Sequence, residues 1–167
     1  MADALVIHPD RISDKPQVFE GTARLDDLPR LEESLANADC EIRYKVTARL
    51  DPQRRKVVAC IIEGFVFLTC QTTLEAFRHA ISIDDRLVIV DHESRLPPIE
   101  EESDAEDYLV ADAPLDVLDL VEDAVLLALP MVPRKPGERE IKAAGKPMQE
   151  GKDSPFAALA SLKKRPK

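Results

Sequence analysis

The sequence predicts an α+β domain: an antiparallel β-meander sheet packed with one long helix in the C-terminal half and one or two short helices. Three observations predict it. Glu41 to Leu50 alternates strictly, with Ile42, Tyr44, Val46, Ala48 and Leu50 on one face and Glu41, Arg43, Lys45, Thr47 and Arg49 on the other, the period of a half-buried strand. Lys56 to Cys70 is almost wholly apolar and rich in β-branched and aromatic residues. Leu115 to Leu129 carries Val117, Leu118, Val121, Ala124, Val125 and Ala128 at helical spacing, with Asp116, Asp119, Glu122 and Asp123 early, where the helix dipole favours acids.

Taken in order, Asp26 to Ala38 places Leu28, Leu31 and Leu35 on one face with Pro29 near the start, which predicts a short amphipathic helix capped by Asp26 or Asp27. After the first strand, Asp51-Pro52-Gln53-Arg54 is a turn. Lys56 to Cys70 then fits one long strand bent at Gly64, or two strands. Alternation returns in Phe77, His79, Ile81 and Ile83, and Asp84-Asp85 predicts a turn into Leu87 to Val90, the last hairpin of the meander. Residues 93–111 are Pro- and acid-rich with little periodicity and predict a mobile acidic loop. Asp112-Ala113-Pro114 is a helix start, with Asp112 as N-cap, and Pro130 ends the helix. A single domain is expected over 1–133, a flexible linker over 134–153, and over 154–167 a terminal helix with a basic tail, in which Phe156, Leu159, Ala160 and Leu162 share a face. That helix would either dock on a partner or fold back on the domain's own core.

The chain has 167 residues, 23 Lys plus Arg and 32 Asp plus Glu, for a formal net charge of −9. Such an acidic total excludes a protein that coats nucleic acid with its whole surface, but not a local basic patch. By region the net charges are −2 for 1–83, −13 for 84–123 and +6 for 124–167. Such asymmetry marks interaction segments, although an acidic stretch can equally serve to solvate a loop. With no Trp, two Tyr and five Phe, an extended aromatic platform for single-stranded RNA is hard to build.

Cys40, Cys60 and Cys70 are too few for a disulfide framework, and the cytoplasm is expected. Ala124 to Val132 is too short to span a bilayer, which takes about 20 residues. No phosphate-cradling Gly-rich loop or His-Glu-x-x-His helix occurs, so nucleotide-dependent catalysis is not expected. Cys70 and His79 lack an orienting third group. The carboxylate pairs Asp26-Asp27, Asp84-Asp85 and Glu122-Asp123 are read as turn and helix-start residues. Without Cys-x-x-Cys or His-x-x-x-His spacing no metal is expected, and Cys40 and Cys60 are read as small buried hydrophobes.

Three segments together resemble the YceD family, found in bacteria and plastids. Leu68-Thr69-Cys70-Gln71-Thr72-Thr73-Leu74-Glu75-Ala76-Phe77 is similar to its Cys-Gln-Arg-Cys-type strand-end box. The stretch from Leu120 to Pro133, with Glu122, Leu129, Pro130 and Pro133, is similar to its acidic-then-aliphatic helix ending in Leu-Ala-Leu-Pro and a second proline. Ser154 to Lys163, with Pro155, Phe156 and Leu159, is similar to its terminal Asn-Pro-Phe-Ala-x-Leu-x-x-Leu-Lys box. Two departures stand out: Thr72-Thr73 replaces Arg-Cys, and the His and Cys that many members carry after the second box have no equivalent among residues 134–140. A metal site shared through those cysteines is therefore not expected here.

The resemblance implies a cytoplasmic, non-enzymatic ribosome-biogenesis factor without a cofactor, acting in synthesis, processing or stability of 23S large-subunit ribosomal RNA. Direct RNA contact would fall to Lys163, Lys164, Arg165 and Lys167, with Arg54, Arg55 and Lys56 as a second cluster. The alternative is an acidic adaptor that holds a basic ribosomal protein through Glu100 to Asp107 and neighbouring acids.

Overall fold

The computed structural model describes residues 5–98 and 106–137. The chain divides into two units, Met1–Lys135 and Pro136–Lys167, and the architecture below is that of the first. The readings of 138–167 as linker, terminal helix and basic tail lie outside the described residues, as do residues 99–105 of the acidic stretch.

Among the described residues, seven strands and one α-helix follow one another as β1 (Val6–Ile7), β2 (Gln17–Ala23), β3 (Glu41–Leu50), β4 (Lys56–Thr69), β5 (Ala76–Val90), β6 (Asp107–Val110), β7 (Leu115–Asp116) and α1 (Val117–Ala128). The main sheet has the order β2-β3-β4-β5-β6, and β1 pairs with β7 as a separate two-stranded ribbon. Strands β3 to β5 form the expected antiparallel meander, β2, which the sequence reading missed, pairs antiparallel with β3 at one edge, and β6 joins the other edge parallel to β5. The result is α+β, with α1 packed on the sheet.

Strand β3 behaves as its alternation dictates: Ile42, Tyr44, Val46 and Ala48 are buried while Glu41, Arg43, Lys45 and Arg49 are exposed. Val58, Cys60, Ile62, Val66 and Leu68 of β4 join the same core, closed by Val117, Leu120, Val121 and Val125 of α1. Strand β4 is continuous through Gly64. A Cβ at Gly64 would lie 2.0 Å from the Glu41 carbonyl oxygen, so glycine is required by close backbone approach between β3 and β4.

Four readings need correction. Asp26 to Ala38 is not an α-helix but two 3-10 turns, Leu25–Asp27 and Pro29–Ser34, which still bury Leu28 and Leu31. Pro29 keeps the preceding Leu28 out of helical geometry (φ −131°, ψ 65°) and splits the segment, and the Ala36 N–H leaves it to bond the Phe67 carbonyl at 2.7 Å. Asp84-Asp85 is not a turn but mid-strand, opposite Ile61 and Cys60, because the ladder with the long β4 overrides local turn preference. The hairpin turn sits instead between Cys70 and Glu75.

Residues 107–110 of the expected acidic loop form β6, and Ala111 is buried with its N–H on the Val90 carbonyl at 2.9 Å. The exposed edge of β5 supplies the hydrogen-bond partners that local sequence does not advertise. Finally, α1 is capped by Asp116, not Asp112, because Leu115 and Asp116 are held by β1. Asp116 Oδ1 accepts from the N–H groups of Leu118 (2.8 Å) and Asp119 (3.3 Å). On the helix Ala128 is exposed, while Leu120 and Glu122 are buried in the stripe.

Candidate functional site

The β3–β4 turn builds a cation-lined cleft. The turn closes with Arg54 N–H on the Asp51 carbonyl and Asp51 N–H on the Arg55 carbonyl, each at 2.9 Å, and Arg54 takes a left-handed φ of 65°. The buried Asp51 carboxylate accepts from the Arg55 N–H at 2.8 Å and from Arg55 Nε at 2.7 Å, with Arg86 Nη2 at 3.3 Å. Burial pushes the Asp51 carboxyl up, yet the hydrogen bonds from Arg55 outweigh it and hold the group below its ordinary value. The other edge of Arg55 meets Glu106 in a bidentate pair at 2.9 and 3.1 Å. These bonds, to Glu106 first and Asp51 second, raise the Arg55 pKa further.

Next to it, Lys56 Nζ lies 2.6 Å from Asp91, whose second oxygen faces Arg95 Nη1 at 3.6 Å. The Lys56 hydrogen bond lowers the Asp91 pKa. Arg54 Nη1 reaches Asp14 at 3.0 Å on the surface. Arg54, Arg55, Lys56, Asp91, Arg95, Tyr108, Ile89, Val90 and Pro97 enclose a cleft of about 340 Å³. The structure thus brings Arg54, Arg55 and Lys56 together as one patch and gives each an acidic partner. Sequence reasoning missed Asp91, Arg95, Glu106 and Tyr108. Only the Asp51 to Arg55 and Asp91 to Arg95 spacings, each of four, could have hinted at pairs, because the other contacts join residues 35 to 51 positions apart.

At the opposite end of β4, two of the sequence boxes meet. The Gln71 N–H donates to the Pro133 carbonyl at 2.9 Å, and Lys135 Nζ lies 3.3 Å from Glu75. Leu68, Gln71, Leu129, Pro130, Met131 and Pro133 line a shallow groove there, with Met131 100% exposed at its rim. Cys70 is buried beside it, and hydrogen bonds with the Thr73 hydroxyl, the Thr73 backbone and the Lys135 backbone hold its thiol below the ordinary value. Five motif positions, Cys70, Gln71, Leu129, Pro130 and Pro133, therefore converge. Pro155, Phe156, Leu159, Lys163, Lys164, Arg165 and Lys167 lie outside the described residues.

The sixth described motif position, Glu122, faces inward from α1 and is only 2% exposed. Its two oxygens accept from the Arg30 backbone N–H and from Arg30 Nε, both at 2.6 Å, while Arg30 Nη1 reaches Asp123 at 2.7 Å. Glu122-Asp123 is thus an arginine clamp rather than a helix-start pair. Of the three carboxylate pairs only Asp26-Asp27 serves a turn, Asp27 accepting from the Arg24 N–H at 3.0 Å.

A smaller cavity of about 180 Å³ lies under α1, with Cys60 at its floor, Asp85, Asp107 and Asp123 around it, and Leu87, Leu109, Leu120 and Leu127 as apolar wall. Burial raises the Asp85 pKa, with Asp107 and Asp84 adding to it. Burial also pushes the Cys60 thiol up to about 11. Among the described residues no group of three or more His, Cys, Asp or Glu could hold a metal ion, and no helix is long and apolar enough to cross a membrane.

Fold and site together define an α+β protein that carries a cation-lined cleft at one end of its sheet and, at the other, a seam between two of the sequence boxes. The chain belongs to the YceD family: the family described as "Large ribosomal RNA subunit accumulation protein YceD" matches residues 58–163. A protein of that name from Haemophilus influenzae is 28% identical over 171 residues, covering 96% of each chain. No solved structure matches the chain.

Proposed function

We propose that the chain acts in accumulation of 23S large-subunit ribosomal RNA, through its synthesis, processing or stability, as a non-catalytic, cofactor-free ribosome-biogenesis factor of the cytoplasm. The observation that carries this is the end-to-end similarity to a large ribosomal RNA subunit accumulation protein, which covers 96% of both chains. The cleft around Arg54, Arg55 and Lys56 supports direct contact with RNA phosphates, which arginine and lysine side chains recognise without reading sequence. Deletion in the native host tests it. The expected result is a reduced ratio of 23S to 16S ribosomal RNA that a plasmid copy restores, and an unchanged ratio overturns the reading. Restoration by a Cys70→Ser copy is the expected result for a non-catalytic factor.

A second reading, an acidic adaptor for a basic ribosomal protein, is favoured by the cavity under α1. Its leucine wall and the carboxylates of Asp85, Asp107 and Asp123 suit the aliphatic stem and cationic head of a lysine or arginine side chain. Crosslinks to ribosomal proteins that persist after nuclease treatment support the adaptor. Crosslinks lost on that treatment support direct RNA binding.

A further inference from the structure

We infer, resting on the reading of the chain as a ribosomal RNA factor, that the cleft at the β3–β4 turn binds one unpaired nucleotide of single-stranded RNA. Its phosphate would sit against Arg54 and Arg95 and its base against Tyr108. Three observations lead there.

The first is size and shape. A concavity of about 340 Å³ lies at the lower end of the roughly 300–1,000 Å³ range of small-ligand sites. It takes a splayed-out base with its phosphate, whereas an A-form duplex offers a broad surface read across its minor groove.

The second is the division of labour among the cations. Arg55 is held on both edges by Asp51 and Glu106, and Lys56 is fixed on Asp91 at 2.6 Å, so these two form a rigid wall whose charge is already paired. Arg54 and Arg95 are 72% and 69% exposed, and their partners Asp14 and Asp91 lie at 3.0 and 3.6 Å. Exposed pairs of this kind contribute little, so both guanidiniums can turn to a phosphate at small cost. The lining holds four cationic side chains and Asp91, with Asp14, Asp51 and Glu106 pairing from outside it, so the cations left for a phosphate are the weakly held Arg54 and Arg95.

The third is chemistry. Ile89, Pro97 and Tyr108 give the cleft an apolar and aromatic surface that a bare phosphate does not need and a nucleobase does. One tyrosine is enough for a single base, so the scarcity of aromatics is no obstacle at this site.

The test is fluorescence anisotropy of the full chain with a labelled, unstructured oligoribonucleotide over a range of salt, beside the same sequence as a duplex and a polyglutamate peptide. Single-stranded RNA is expected to bind more tightly than either. R54Q/R95Q removes both guanidiniums from that one phosphate and is expected to flatten the slope of log K against log salt by about 0.7, the value for one single-strand phosphate. Tyr108→Leu is expected to weaken binding about tenfold with the salt slope unchanged, as loss of one stacked base requires.

Circular dichroism confirms that each variant is folded, and R54K/R95K, which keeps the charge, is expected to retain most of the affinity. Equal affinity for duplex, unchanged binding by both R54Q/R95Q and Tyr108→Leu, or tighter binding of polyglutamate overturns the inference. The function reading is judged separately: if deletion lowers 23S RNA and R54Q/R95Q and Tyr108→Leu both restore it while binding RNA like the wild type, the cleft assignment fails and the role in accumulation stands. If deletion leaves 23S RNA unchanged, the role fails whatever the cleft binds.

Discussion

Arg30 holds the buried carboxylate of Glu122 with two groups at once, its backbone N–H and its Nε, each 2.6 Å from a different oxygen. The contact bridges 92 positions and fastens the 3-10 turn at Pro29–Ser34 to the middle of α1. Because one of the two donors is backbone, replacing the arginine side chain leaves part of the arrangement intact. Glu122→Ala is therefore expected to destabilise more than Arg30→Ala. In a double-mutant cycle followed by urea unfolding, R30A/E122A is expected to cost less than the sum of the single changes. Additive losses would mean that the two side chains do not act together.

Gly64→Ala introduces a Cβ 2.0 Å from the Glu41 carbonyl oxygen and 3.1 Å from the Ile42 Cα. Both obstacles are backbone and cannot rotate away, so β3 and β4 must separate at the centre of the sheet. A loss of about 3 kcal/mol or more is expected, at or above the upper end of ordinary overpacking, read from the urea midpoint. A variant as stable as the wild type would show that the strands do not approach this closely.

Asp51 and Asp91 both have folded-state pKa values below their ordinary ones. A depressed carboxylate contributes stability that is complete above the unfolded value, about 3.9, and is lost as pH falls through the lower folded value. The thermal midpoint is therefore expected to hold from pH 7 to about 5 and to drop below about pH 4. Asp51→Asn is expected to lower the midpoint at pH 7 and to show a shallower acid decline. An identical acid profile for wild type and Asp51→Asn would remove Asp51 from the account.

Burial first, and the Asp85 carboxylate second, push the Cys60 thiol up to about 11. At pH 8 Cys60 is accordingly a neutral thiol only 1% exposed, and the thiolate is the species that reacts. Mass spectrometry after iodoacetamide treatment is expected to find Cys60 unmodified in the folded protein and modified in urea. Rapid labelling of the native chain would contradict the burial described for β4.

The strand faces were legible because side-chain direction in a strand depends only on parity: Ile42, Tyr44, Val46 and Ala48 are buried as their alternation requires. The α+β class follows from the same local rules, whereas the sequence left Lys56 to Cys70 as one strand bent at Gly64 or two, and the register with β3 and β5 makes it one. The order of the motif boxes was also legible, and they led to the family that residues 58–163 match. Misreadings fell where a partner strand or a distant side chain competes with local preference. Asp84-Asp85 looks like a turn in isolation but pairs with Ile61 and Cys60, and Asp112 looks like a cap until β1 takes Leu115 and Asp116.

By itself, then, the sequence determined the periodicities, the charge asymmetry and the candidate cations Arg54, Arg55 and Lys56. Tertiary structure alone decided what those cations can do. It set Arg55 between Asp51 and Glu106, paired Lys56 with Asp91, left Arg54 and Arg95 at the rim, and placed Tyr108 in the same cleft. The physical reason is range. Periodicity and capping act within a few residues and leave a mark on the local pattern, whereas ion pairing and cavity shape depend on strand register between segments 35 or more positions apart, which no local pattern records.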